Sequence, residues 1–230
     1  MRALAKLTLG LRVTGVRADG YHELDAEMVT VDLADELSFD EGDGFEVTGP
    51  AAGGVPVEGN LVQRALAAVG RRAQVRLHKV IPAGAGLGGG SADAAAVLRW
   101  AGVDDLQVAA SLGADVPFCV VGGRARVRGV GDVVEPLPEE DRVFTLLVPP
   151  LHVSTPAVYA AWDRTGGPAA DGPNDLEPAA LAVEPRLAAA RDELGERTGC
   201  VPVLAGSGST WFVEGAFEGP GLVVVRTARP

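Results

Sequence analysis

Lysine is almost missing from this chain. Of its 20 basic residues, only Lys6 and Lys79 are not arginine. Arginine cannot imitate a compact ammonium in a tight site, so each remaining lysine marks a position where a point charge is wanted. Cysteine is equally scarce. Cys119 and Cys200 are too few for a disulfide framework, and each sits in an apolar run, so both read as buried free thiols of a reducing cytoplasm. No apolar stretch approaches the roughly 18 residues of a membrane span, and the leader-like start, residues 1–13, is interrupted by Lys6 and Arg12. Positive charge is in deficit: the net charge is -11, which argues against a nucleic-acid partner and against anionic membranes. Of the three histidines, His78 and His152 lack partners at metal-ligand spacing, and no Ser–His–Asp or Cys–His pattern is present. These absences leave a small-molecule protein in which any positive field must be local.

Glycine is what the chain has in plenty, and it is concentrated. Five of the seven residues from Gly84 to Gly90 are glycine, after a strand-like Val75–Ile81 and before a strong helix former starting at Ser91. A glycine loop feeding a helix N-terminus gathers free N–H donors and the positive dipole end on one spot. That is an anion site, most often for phosphate. The alternative is a flexible surface loop. Gly84 to Gly89 also fits G-x-G-x-x-G, but a dinucleotide fold needs a second parallel strand ending in an acid, and Asp104-Asp105 lead into a further helical stretch instead. No Gly-Lys-Ser/Thr follows the glycines, and no protein-kinase signature accompanies them.

The patterning predicts one large or two small domains: residues 1–140, then 141–230 after a Pro- and acid-rich linker at 134–142. Strands are expected at 4–13, 28–33, 36–40, 44–48, 75–81 and 124–128, with an apolar strand at 118–121. On the first of these, alternation puts Lys6 and Thr8 on one face and Leu7, Leu9 and Leu11 on the other. Asn60 caps a helix over 61–69, and helices follow over 91–101 and 105–112. The second half reads as a strand at 143–148, a helix at 155–163, a helix at 179–196 broken near Pro185, and strands at 201–204, 210–214 and 222–227. This α+β order suggests a small sandwich. Between its last strands lies a second cluster, Gly206-Ser207-Gly208-Ser209, which is either a hairpin loop or a second grip on a triphosphate. Taken alone, Lys6 reads equally as a snorkelling edge lysine, and Asp115 as a turn or cap residue.

Three motifs occur in order: Ala5-Lys6-Leu7, Pro82 to Val97, and Gly206 to Ser209. In this the chain resembles the GHMP kinase superfamily. Arg17-Ala-Asp-Gly-Tyr-His-Glu-Leu24, Gly113-Ala-Asp-Val-Pro-Phe118, Gly129-Val-Gly-Asp132 and Asn174-Asp-Leu-Glu177 narrow the likeness to the branch whose substrate is 4-diphosphocytidyl-2-C-methyl-D-erythritol. The resemblance implies a two-domain α+β fold, its N-terminal part like ribosomal protein S5 domain 2 and its C-terminal part a ferredoxin-like sandwich. It implies an ATP- and Mg²⁺-dependent small-alcohol kinase, monomeric or homodimeric, with no nucleic-acid or membrane partner. Lys6 and Asp115 would be the catalytic pair. Pro82, Ala83, Gly84, Ala85, Gly86, Leu87, Gly88, Gly89, Gly90, Ser91 and Ala92 would wrap the ATP phosphates, with Ser91 a ligand of the metal. Thr8, Tyr21, His22, Gly206, Ser207, Gly208 and Ser209 would bind substrate. The pattern departs at position 8, where such enzymes usually carry asparagine. The alternatives are another GHMP small-alcohol kinase, of homoserine or mevalonate type, and a nucleotide-binding relative with weakened catalysis.

Overall fold

The computed structural model describes residues 1–167 and 169–230. In chain order the elements are β1 (Arg2–Val16), β2 (His22–Asp40), β3 (Gly44–Thr48), α1 (Leu61–Ala68), β4 (Gln74–His78), α2 (Gly89–Ala101), α3 (Leu106–Leu112), α4 (Val116–Val121), β5 (Arg124–Gly129), β6 (Val133–Pro136), β7 (Val143–Leu147), α5 (Thr155–Arg164), α6 (Glu177–Val183), α7 (Leu187–Thr198), β8 (Val203–Leu204), β9 (Trp211–Glu214) and β10 (Leu222–Arg226). The first six strands form one sheet in the order β3-β4-β2-β5-β6, with β1 also paired to β2. Only β3 and β4 run parallel. The last four form a second, antiparallel sheet in the order β10-β7-β9-β8.

The long β1–β2 hairpin is the frame of the molecule, and its turn is the Arg17–Tyr21 segment, closed by the Arg17 N–H donating to the Tyr21 carbonyl at 2.8 Å. Residues 28–33 and 36–40, which read as two strands, are one strand. Asp35, a turn residue by type, points its carboxylate into the core and accepts the N–H groups of Val80 at 2.6 Å and Ile81 at 2.8 Å. Three register shifts, between Leu4 and Lys6, Thr8 and Gly10, and Val13 and Gly15, break the alternation of β1. Leu7 therefore packs in the cluster between the two sheets, and Leu11 joins the main core. Each extra residue in a bulge reverses which face the following side chains occupy.

Two further expectations change. The apolar stretch 118–121 lies in helix α4, where Val116, Pro117 and Phe118 are buried, and a short apolar run cannot tell strand from helix by period alone. Residues 134–136, read as the start of a linker, belong to β6 and pair with β5. The strand before the glycine loop also stops early, at His78. Lys79 turns inward there, and its Nζ sits 2.6 Å from both Asp35 Oδ2 and Asp93 Oδ2.

α2 follows the glycine loop and carries the run Ala92 to Leu98, all buried, against α1, α4 and β1. Small residues let the helix approach the sheet closely, and that brings its N-terminus to β1. A second cluster draws on Ala5 and Leu7 of β1, Ile81, Ala85 and Leu87 of the loop, and Phe144, Leu146 and Phe212 of the second sheet. The loop is therefore pinned: Ile81, Ala85 and Leu87 are core, and Gly84, Gly86, Gly88 and Gly90 remain at least partly exposed.

Candidate active site

Lys6 is 5% exposed on β1, with apolar neighbours on both sides in sequence. Its Nζ does not snorkel. It donates to Thr8 Oγ1 at 3.2 Å and lies 3.3 Å from Asp115 Oδ2. Asp115 precedes α4, but its side chain makes no cap hydrogen bond, so its carboxylate is committed to Lys6 and, being one-third exposed, to the cleft. Burial and then the charge of Asp115 push the thiol of Cys119, one turn on, up to about 12. It stays protonated near neutrality and offers no nucleophile.

The glycine loop passes directly over this pair. The Lys6 N–H donates to the Leu87 carbonyl at 3.0 Å. Gly88, the N-cap of α2, has φ +68°, and a Cβ there would stand 2.6 Å from Lys6 Cγ. Only glycine suits that backbone and that closeness. Gly86 meets the second glycine loop in the same way, with the Ala205 carbonyl filling the place of its Cβ. The two loops are joined where the Thr210 N–H donates to the Ala85 carbonyl at 3.1 Å.

An open cleft of about 370 Å³ results. Its walls hold Lys6, Thr8, all of Pro82 to Ser91, Asp115, Gly206 and Ser207, with Thr155 and Tyr159 from α5. Thus Lys6 and Asp115, most of the first loop and half of the second converge. Ala92 is buried behind the helix start. Gly208 turns toward the side chains of Leu204 and Leu187, and Ser209 is fully buried with its hydroxyl unpartnered. Neither lines the cleft. Tyr21 stands 65% exposed on the hairpin turn. His22 stacks on Tyr159 with ring centroids 4.5 Å apart, faces Trp162 edge-on at 5.6 Å, and holds Asp163 Oδ1 at 2.8 Å through Nε2. It reaches the cleft only through Tyr159, whose hydroxyl is held well above its ordinary range by burial and, secondarily, by the charge of Asp115.

Thr155 and Tyr159 carry no local signal in the sequence. The buried group Asp35–Lys79–Asp93 at the root of the loop has none either, except that the rarity of lysine points at Lys79.

The fold and this geometry have counterparts. Residues 60–123 match the family of GHMP kinases, N-terminal domain. The 4-diphosphocytidyl-2-C-methyl-D-erythritol kinase of Paracoccus denitrificans (strain Pd 1222) is 40% identical over 91% of this chain and 84% of its own. That of Jannaschia sp. (strain CCS1) is 39% identical over 94% and 87%. This chain belongs to the 4-diphosphocytidyl-2-C-methyl-D-erythritol kinase family. A crystal structure of 4-(cytidine 5'-diphospho)-2C-methyl-D-erythritol kinase superposes with a TM-score of 0.76 at 33% identity, covering 99% of each chain. The mevalonate kinase of L. major shares the fold at TM-score 0.60 with 12% identity. Membership of this kinase family fits the cleft, in which a buried ammonium and an accessible carboxylate face a glycine loop. No helix among the described residues is long and apolar enough to cross a membrane.

Proposed function

We propose that this protein transfers the γ-phosphoryl group of ATP to the 2-hydroxyl of 4-diphosphocytidyl-2-C-methyl-D-erythritol, a step of the non-mevalonate isoprenoid pathway. The observation that carries the reading is the Lys6–Asp115 pair, 3.3 Å apart where the two glycine loops meet. Phosphoryl transfer through a loose transition state asks mainly for positioning and charge neutralisation. The loop amides and the N-terminus of α2 supply fixed donors for the phosphates. A second cavity of about 240 Å³, lined by Val55, Asn60, Leu61, Leu77 and Asp93, opens beside Gly90 and supports placing the purine there.

Asp115 accepts the proton of the attacking hydroxyl, a contribution of about 10²–10⁴-fold. Lys6 orients that carboxylate and offsets the charge on the moving group. Thr8 takes the place of the usual asparagine by holding Lys6. Ser91 and Asp115 bring hard oxygen donors to the cleft, and Mg²⁺ commonly takes one or two protein oxygens beside phosphate. The donor set therefore fits this ion, which neutralises phosphate charge when bound. The cytidine end lies against Tyr159, His22 and Tyr21, whose rings offer stacking faces. We take the enzyme to act in the cytoplasm on small molecules alone, as a monomer or homodimer. The test is ATP consumption by the purified protein with Mg²⁺ and the cytidyl substrate, with homoserine and mevalonate in parallel. Turnover confined to the cytidyl compound is expected, and turnover with either of the others alone overturns the assignment.

A further inference from the structure

One buried polar side chain beside the cleft has no part in the reaction just described. Asn174 is 1% exposed. Its Nδ2 donates to the Leu204 carbonyl at 2.9 Å and to the Gly206 carbonyl at 2.7 Å, and its Oδ1 accepts the Leu176 N–H at 2.9 Å. Both ends of the amide are engaged, so it cannot turn without stranding buried groups.

The residues around Asn174 are fastened to β1, the strand that carries Lys6 and Thr8. The Leu11 N–H donates to the Pro173 carbonyl at 2.9 Å, and the Asp175 N–H to the Leu11 carbonyl at 3.0 Å. The Asp175 carboxylate accepts the Val13 N–H at 3.0 Å and Arg12 Nη1 at 2.6 Å. Burial raises that carboxyl, but the Ala170 N–H, at 2.9 Å, together with these bonds outweighs it and holds the group below its usual range. One short segment thus sets the position of the second glycine loop relative to the strand holding the ammonium.

The carbonyl and N–H of a trans peptide point in opposite directions. With the Gly206 carbonyl drawn to Asn174, the Ser207 N–H faces the other way. Gly206 and Ser207 both line the cleft, and Lys6 Nζ lies 3.5 Å from where a Cβ on Gly206 would stand. The Ser207 N–H donates to no acceptor among the described residues. The Ser207 hydroxyl is occupied separately, by Thr155 Oγ1 at 2.8 Å. A free amide in a wall built to this precision is a donor waiting for an anionic oxygen.

We propose that Asn174 is a positioning residue for phosphoryl transfer: by holding the Gly206 carbonyl it aims the Ser207 N–H, beside Lys6, at the oxygens of the phosphoryl group in transit. The inference rests on the kinase reading above. Its test compares Asn174→Ala with the unaltered protein in three measurements: kcat, the Kd for ADP with Mg²⁺, and the Kd for ADP with Mg²⁺ and aluminium fluoride in the presence of the cytidyl substrate. The last mimics the group in flight. Losing an aimed donor lowers kcat and weakens the aluminium fluoride complex on the order of 10²-fold, while ADP alone binds within about 3-fold of the unaltered protein. A merely structural strut would weaken ADP and its aluminium fluoride complex together, and that result overturns the proposal, as does a folded variant with unchanged kcat. Should Asn174→Ala not fold, an amide-to-ester replacement at Ser207 deletes that N–H and also weakens the Gly206 carbonyl as the acceptor for Asn174, so it strikes both parts of the device without removing a side chain. The same selective loss is expected there, and its absence overturns the inference. No turnover of the cytidyl substrate by the unaltered protein would instead fail the kinase reading, and this inference with it.

Discussion

Position 6 shows why a protein so rich in arginine keeps a lysine. The space around Lys6 is set by Gly88 on one side, where even a methyl group would collide, and by Thr8 and Asp115 at the tip. A planar guanidinium is wider than an ammonium and needs a forked partner. Lys6→Arg should therefore fold but lose on the order of 10²-fold in kcat, since an aimed charge is misplaced rather than removed. Steady-state kinetics check this, and full activity would make the lysine structural. Asp115→Asn keeps the shape of the side chain and removes the proposed proton acceptor. Turnover should fall about 10²–10⁴-fold while ATP still binds. A calorimetric Kd beside kcat separates the two, and near-normal turnover would remove Asp115 as the base.

At the scale of elements, the root of the glycine loop is an ionic knot. Lys79 bridges Asp35 of β2 and Asp93 of α2, and Asp93 Oδ1 has no hydrogen-bond partner. Burial, opposed by Lys79 and reinforced by Asp35, raises the Asp93 carboxyl from 3.8 to about 7. Between those values the native state holds a proton that the unfolded chain has released. This group's contribution to stability therefore falls as pH rises from about 4 to 7 and is level above. Asp93→Asn stays neutral throughout. Its stability relative to the parent should improve between pH 4 and pH 8 by at most about 4 kcal/mol, read from urea unfolding at both pH values. An unchanged difference would show that Asp93 is ionised across the range. The glycine loop, the Asn60 cap and the broken helix at Pro185 were legible because each depends on local chemistry. The inward turn of Asp35, the bulges of β1 and the helical state of residues 118–121 were not, because each is decided by partners distant in the chain. Tyr159 enters the cleft for the same reason: α5 is met there by His22 and Ser207, both distant in the chain.

On the scale of the whole molecule, the two sheets meet over β1 and the glycine loop, so the strand that carries Lys6 is shared between the halves of the chain. The Ala228 N–H donates to the Thr30 carbonyl at 2.9 Å, and the Arg226 N–H to Asp32 Oδ1 at 2.9 Å. Charge is distributed less favourably. The chain carries -11 overall, the proposed substrates are both anions, and the charged residues lining the cleft are Lys6 and Asp115, which offset each other. Attraction for phosphate is therefore built from backbone donors within a few ångströms, whereas the distant field repels. Salt screens the distant field first, because the Debye length shrinks from about 30 Å at 0.01 M to about 8 Å at 0.15 M, a range that leaves direct contacts intact. Kinetic steering follows the sign of that field. The expected outcome is a kcat/KM for ATP that rises about 2- to 5-fold between 0.01 and 0.15 M salt at constant free Mg²⁺, the reverse of the usual trend for a phosphate-binding enzyme. A fall over the same range would mean that the dipole of α2 and Lys6 project a positive field beyond the cleft mouth and outweigh the surface, and the attraction would then be long-ranged rather than local.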